Sequence, residues 1–209
     1  MNAALSPLDA AIQTACPILP APHHGALPDL AGYGKRLIAT ASGLFLETRS
    51  PALHLRLRVE TFTAPLPYGE VDEFIRPAHG PIPARLFHEF LELAIAARPS
   101  ETAAAIIATP SGYALEKPKI TSATGGSVSY VDDLDDDRIV VDIHSHGMGR
   151  AFFSGTDDAS DLSRRGPYLA VVAGYAAKRE EIPLVLRAVS APYLIELGFS
   201  EPAMRGVIA

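Results

Sequence analysis

Along residues 53–59 apolar and polar side chains alternate without a break. Leu53, Leu55, Leu57 and Val59 fall on one side, and His54, Arg56 and Arg58 on the other. Successive side chains of an extended chain point to opposite faces, so this stretch is predicted to be a half-buried strand whose basic side is solvated. The preceding GKRLIATASGLFLETRS, residues 34–50, also reads as strand. At residues 84–97 the period changes. ARLFHEFLELAIAA places Leu86, Phe90, Leu93 and Ala97 at steps of three and four, the repeat of one helix face, and Arg98-Pro99 predicts its end. TAAAIIATPSG (102–112) reads as a buried strand stopped by its Pro-Ser-Gly. RIVVDIHSHG (138–147), YLAVVAGY (168–175) and IPLVLRAV (182–189) are three more strands. KPKITSATGG and SVSYVDDL are strands or loop edges, and SGTDDASDLSRRG (154–166) opens like a helix. Strands interleaved with few helices predict an α/β or α+β layering.

Proline and glycine punctuate two regions. Residues 1–33 are rich in Ala and Pro and read as largely loop, and residues 63–83 read as a long connection or domain boundary. The expected division is a β-rich N-terminal region over 1–80 and a second domain over 81–209. No internal repeat is visible.

Composition narrows the functions open to the chain. Nearly half of its 209 residues are hydrophobic, enough for a sizeable core. A single cysteine, Cys16, excludes a disulfide framework and a cysteine-rich zinc site and fits a reducing cytoplasm. The N-terminus lacks the basic and apolar segments of a signal peptide, and no apolar run reaches the roughly 20 residues that span a bilayer. A formal charge of -6 argues against nucleic acid as a direct partner. The acidic run at residues 132–137 reads as a solvated turn.

Candidate chemistry concentrates in IVVDIHSHGMGRAFFSGTDD, residues 139–158. Side chains two apart on a strand share a face, with Cα atoms roughly 6.5 Å apart, so His144 and His146 can converge on one small cation. Catalytic zinc sites use three protein ligands and leave the fourth position open. Asp157, after a loop with two glycines, is the natural third ligand. An isolated H-x-H is usually two ordinary histidines, and Ser154 with Asp157 has the spacing of a helix capping box. The joint pattern, H-x-H, seven residues, then S-x-x-D, arises by chance on the order of once in a thousand such chains, and it carries the metal reading. HEFLE at His88 ends in Glu92 and so lacks the second histidine of a helical zinc-protease motif. A zinc deaminase needs a Cys-x-x-Cys pair that one cysteine cannot supply. His23, His24, His54 and His79 read as structural or solvated.

With these residues in place, 82–175 resemble JAMM (JAB/MPN+) zinc metalloprotease domains. That signature runs from a glutamate after the first long helix to H-[ST]-H-P and then S-x-x-D. It falls here on Glu101, His144-Ser145-His146, Ser154 and Asp157, with Gly147 in place of the proline. The glycine is expected to loosen the loop. Glu89, Glu92 and Glu116 fit the glutamate's context less well. The resemblance implies a mixed sheet flanked by helices, a zinc ion (Zn2+) on His144, His146 and Asp157, Glu101 as general base, and Ser154 as oxyanion donor. It implies cleavage of an amide or isopeptide bond after the tail of a ubiquitin-like, β-grasp protein. Asp142 and Asp158 are candidates to hydrogen-bond the histidines' outer nitrogens. Phe152 and Phe153 either wall a substrate groove or pack beneath their loop.

The whole-chain layout resembles one family of the PRTRC cassette, a bacterial, often plasmid-borne set. That narrower resemblance implies ThiF-like (E1-type) and E2-like partners, or a scaffold role in a ParB-like/ThiF-like assembly. Processing of a small sulfur-carrier protein is a third reading.

Overall fold

The structure, a computed structural model, describes residues 5–124, 128–131 and 135–209. Helix α1 (Pro7–Ala15) leads into a five-stranded sheet of β1 (Ile18–Pro20), β2 (Gly34–Ala39), β3 (Gly43–Arg49), β4 (Leu53–Thr61) and β5 (Phe74–Pro77), in that spatial order. After α2 (Ala84–Ala97) come β6 (Ala103–Thr109) and β7 (Gly112–Glu116), then the two-stranded arm β8 (Lys119–Ala123) and β9 (Val128–Val131). Strand β10 (Ile139–Ser145), α3 (Gly155–Ser163), β11 (Tyr168–Ala173), β12 (Leu184–Ser190) and β13 (Tyr193–Leu197) follow. The second sheet runs β13-β12-β11-β10-β6-β7. Its architecture is the mixed α/β layering that the sequence predicts.

Within that sheet β10 and β11 are parallel neighbours, whereas the other described pairs are antiparallel. Parallel strands need a crossover, and α3 supplies it. The loop that leaves β10 for α3 therefore lies at the carboxyl end of the parallel pair, the usual place for a ligand crevice in an α/β sheet.

The alternation of β4 is realised. Leu53, Leu55 and Leu57 are buried with Ile75 of β5 and with Leu86, Phe87, Phe90, Leu91 and Ala94 of α2. The same cluster takes in Ala104, Ile106, Val141, Ile143, Val171 and Leu186 from the second sheet, so both sheets share one core. The opposite face of the second sheet buries Ile107, Ile139, Tyr168 and Val189. Among the described residues no helix is long and apolar enough to cross a membrane.

Three stretches differ from expectation. Residues 1–33 contain α1, started by Ser6, whose hydroxyl accepts from the Asp9 N–H, with Pro7 in the first turn. Residues 63–83 contain β5, which pairs with β4. Of the acidic run, Asp132 to Leu134 lie outside the described residues, as do 125–127 of the expected strand edges. Asp136 is not merely solvated, because it accepts from Arg164 at 2.9 Å.

The polar side of β4 is also more enclosed than predicted. Glu47 of β3 is buried there among Arg36 at 2.6 and 2.8 Å, His54 at 3.0 Å and Arg56 at 3.1 Å. Burial by itself would raise the Glu47 pKa, but the bonds from His54 and Arg36 and the charges of Arg56 and Arg36 bring it down to about 2. A folded pKa below the ordinary 4.5 means this stabilisation is fully present above 4.5 and is lost as pH falls from there toward 2. The shift corresponds to on the order of 3 kcal/mol. Glu47→Gln is therefore expected to melt well below the wild type at neutral pH, with the difference shrinking as the pH is lowered through that window. Melting curves of the two proteins from pH 7 to pH 3 test this, and a constant difference would contradict it.

Candidate metal centre

Strand β10 aims the first histidine. Its register sets His144 opposite Ala103 of β6. One residue on, the Ser145 N–H donates to the Thr102 carbonyl at 2.9 Å, and the Thr102 N–H donates to the Ser145 hydroxyl at 3.1 Å. Continuing this ladder brings Glu101, just ahead of β6, to the level of His146, just past the end of β10. Asp157 arrives from the first turn of α3, where Ser154 is the N-cap and a full capping box forms.

The three expected ligands converge. His144 Nε2 lies 3.2 Å from Asp157 Oδ1 and 3.3 Å from His146 Nε2, and His146 Nε2 lies 4.0 Å from Asp157 Oδ2. One ligand atom from each residue falls within 4.8 Å of the others, as a shared cation requires. The His146 Nδ1–H donates to the Arg150 carbonyl at 3.0 Å, which leaves the Nε2 lone pair for the cluster. The Ser154 N–H and hydroxyl donate to Asp157 Oδ2 at 2.6 and 2.7 Å, leaving Oδ1 turned toward His144. Two imidazole nitrogens and one carboxylate oxygen form a donor set that suits zinc with an open position.

The electrostatics agree with a cation site. Burial would favour neutral His144, but the bond and charge of Asp157 and the charges of Asp142 and Glu101 outweigh it and raise its pKa. Burial would raise Asp157, but its bonds to His144 and Ser154 hold it well below the usual carboxylate range. Glu101 is buried, and that burial raises its pKa against the opposing pull of both histidines. A buried carboxylate whose pKa is raised is better suited to accept a proton than an ordinary one.

The remaining candidates separate. Asp142 pairs with Arg164 Nε at 3.4 Å while its charge acts on His144. Asp158 takes Arg187 as its partner at 2.5 Å. Phe152 is exposed, its ring edge-on to His146 with centroids 4.8 Å apart, whereas Phe153 packs partly buried against the second sheet with the Arg187 guanidinium 3.9 Å from its ring, and both line one cleft. Sequence reasoning missed the ion cluster under α3. Buried Asp161 accepts from Arg187 at 2.6 and 2.8 Å and from the Tyr168 hydroxyl at 2.8 Å. The available signal was Arg187 itself, one cation inside the apolar strand LVLRAVS.

Gly147 does not loosen its loop, as the sequence led us to expect. It holds φ at +53°, and a Cβ there would lie 2.2 Å from the Pro99 carbonyl oxygen. Proline is fixed near φ −65°, so the family's proline could not adopt this backbone. Gly147→Ala is expected to lower stability by more than the 1–2 kcal/mol of a left-handed alanine, because the clash is with backbone that must move. Denaturant melts would show this, and a loss below about 0.5 kcal/mol would mean the loop has another accessible path.

Comparison with known proteins agrees with this geometry. Residues 83–186 match the family described as prokaryotic homologs of the JAB domain, so the chain is a prokaryotic JAB-domain protein. Residues 6–76 match a domain of unknown function, DUF2016, which accounts for the first sheet. Among the curated proteins compared, none matches the chain.

Proposed function

We propose that the chain is a zinc-dependent peptidase or isopeptidase that cleaves an amide bond after the C-terminal tail of a ubiquitin-like, β-grasp protein. The observation that carries this reading is the convergence of His144, His146 and Asp157 beside the buried carboxyl of Glu101. Zinc held by those three residues would supply Lewis acidity, polarising the scissile carbonyl and acidifying a water. Glu101 takes the proton of the attacking water on its carboxylate and returns it to the leaving amine nitrogen. Ser154 stabilises the oxyanion by turning its hydroxyl from Asp157 Oδ2 toward the substrate oxygen, while its own N–H keeps hold of Oδ2. We further propose that residues 1–80 act as a recognition unit for residues 81–209. The setting we propose is a cytoplasmic PRTRC-type cassette with ThiF-like and E2-like partners.

The test is to load the protein with zinc and incubate it with β-grasp proteins bearing an amide-linked C-terminal extension, following products by intact mass. The expected result is release of the extension, stopped by a chelator. Cleavage of sulfur-carrier substrates alone would narrow the reading to carrier processing. No cleavage by fully zinc-loaded protein would favour the scaffold reading. Ser154→Ala is expected to keep zinc and slow cleavage roughly 10²-fold. A loss of only about 1 kcal/mol of stability with unchanged rate would reduce Ser154 to a helix cap.

A further inference from the structure

The helix that delivers Asp157 has little to hold it by packing. Of the nine residues of α3, the buried one is Asp161, a charged residue, and Leu162 is 40% exposed. GTDDASDLS carries no apolar stripe at helical spacing, and a helix this short does not persist alone. Hydrophobic burial, which fixes α2, therefore cannot fix the position of α3. Its place has to be set by polar contacts.

Those contacts gather on one side chain. Arg187 is 3% exposed and projects from β12, which is paired on both edges, to β11 and to β13. Its Nε and Nη2 donate to Asp161 Oδ2 at 2.8 and 2.6 Å, and its Nη1 donates to Asp158, the residue directly after the metal-ligand candidate. The guanidinium also stacks on Phe153, the residue before the N-cap. Contacts to residues 153, 158 and 161 thus bracket Asp157 on both sides. The far end of α3 is tied separately, through Arg164 to Asp136 and Asp142.

We infer that Arg187 is the positioning residue for Asp157, converting a helix without apolar anchorage into a rigid ligand carrier. The inference rests on the zinc reading above. A planar fork that grips two carboxylates at once is a geometry lysine cannot reproduce. Groups that orient a metal ligand typically change affinity 10–100-fold when removed. Arg187→Met is therefore expected to bind zinc 10–100-fold more weakly, and Arg187→Lys to recover part of the loss.

General destabilisation must be separated from positioning, and the structure offers a matched control. Glu47 centres another buried ion cluster, in the first sheet. Zinc affinity is measured by chelator competition at a temperature where circular dichroism shows each variant folded, together with amide exchange of residues 155–163 in the metal-free proteins. The expected outcome is weaker zinc binding and faster α3 exchange in Arg187→Met, with neither change in Glu47→Gln. Wild-type affinity and exchange in folded Arg187→Met overturns the inference, as does an equal loss of affinity in Glu47→Gln. Should Arg187→Met fail to fold, Asp158→Asn removes one arm of the grip and is expected to show the same two changes, smaller; unchanged values there overturn it as well. If the wild-type protein binds no zinc, the metal reading falls, while the exchange measurement still decides whether Arg187 holds α3.

Discussion

Asp157→Ala is expected to purify nearly free of zinc, below about a tenth of an ion per chain, against about one expected for the wild type. Two imidazoles alone hold the ion far less well than two imidazoles and a carboxylate. The substitution removes more than a ligand, because the same carboxylate closes the capping box of α3 with Ser154. A drop of about 1 kcal/mol in stability is therefore expected alongside the metal loss. Asp157→Asn separates the two effects: it retains an oxygen that can accept from Ser154 but loses the charge, so stability is expected to recover further than zinc content. His146→Ala should lose the metal in the same way without touching the cap. Elemental analysis and melting temperature on the three variants decide the matter. Full zinc occupancy in Asp157→Ala would remove Asp157 from the site.

Glu101→Gln is expected to do the opposite, retaining zinc while cleavage falls about 10²-fold or more. The amide nearly matches the carboxylate in size but cannot accept a proton. Glu101 is buried just ahead of β6, its main chain held by the N–H it donates to the Thr124 carbonyl at 2.8 Å and by the bonds of its neighbour Thr102 to Ser145. Neither depends on the side-chain charge, so zinc content and melting temperature should stay close to the wild type. Single-turnover cleavage under saturating zinc is the deciding measurement. Undiminished cleavage would take Glu101 out of the mechanism and return attention to Glu89, Glu92 and Glu116.

The parts of the fold that could be read from the chain are those where burial leaves a period. The inward leucines of β4, the three-four spacing of α2 and the β-branched run before His144 all have one face in the core. Strands β7 and β13 escaped because they are sheet edges with mostly half-exposed residues, where no alternation develops. Helix α1 escaped because none of its residues is buried, although the Ser6-Pro7 start was visible. At the site, the spacing of His144, His146, Ser154 and Asp157 was legible because a single strand-loop-helix supplies all four. The grip of Arg187 on Asp161 was not, since it joins residues 26 apart, from α3 past β11 to β12, a relation that only the folded topology creates.

The close approach of Gly147 to Pro99 has a consequence for how this site could be altered. The backbone after the histidines and the backbone before Glu101 touch without a side chain between them. On the proposed metal reading, a shift of the histidine loop toward β6 would push the Glu101 segment ahead of it, so Glu101 and the two histidines would move together relative to α3. Asp157 alone rides on the other side of that division. Redesign for a larger cation would thus act through a single adjustable gap, between α3 and the joined pair of segments. Substitutions along α3 should tune which ion fits while leaving the reach of Glu101 unchanged.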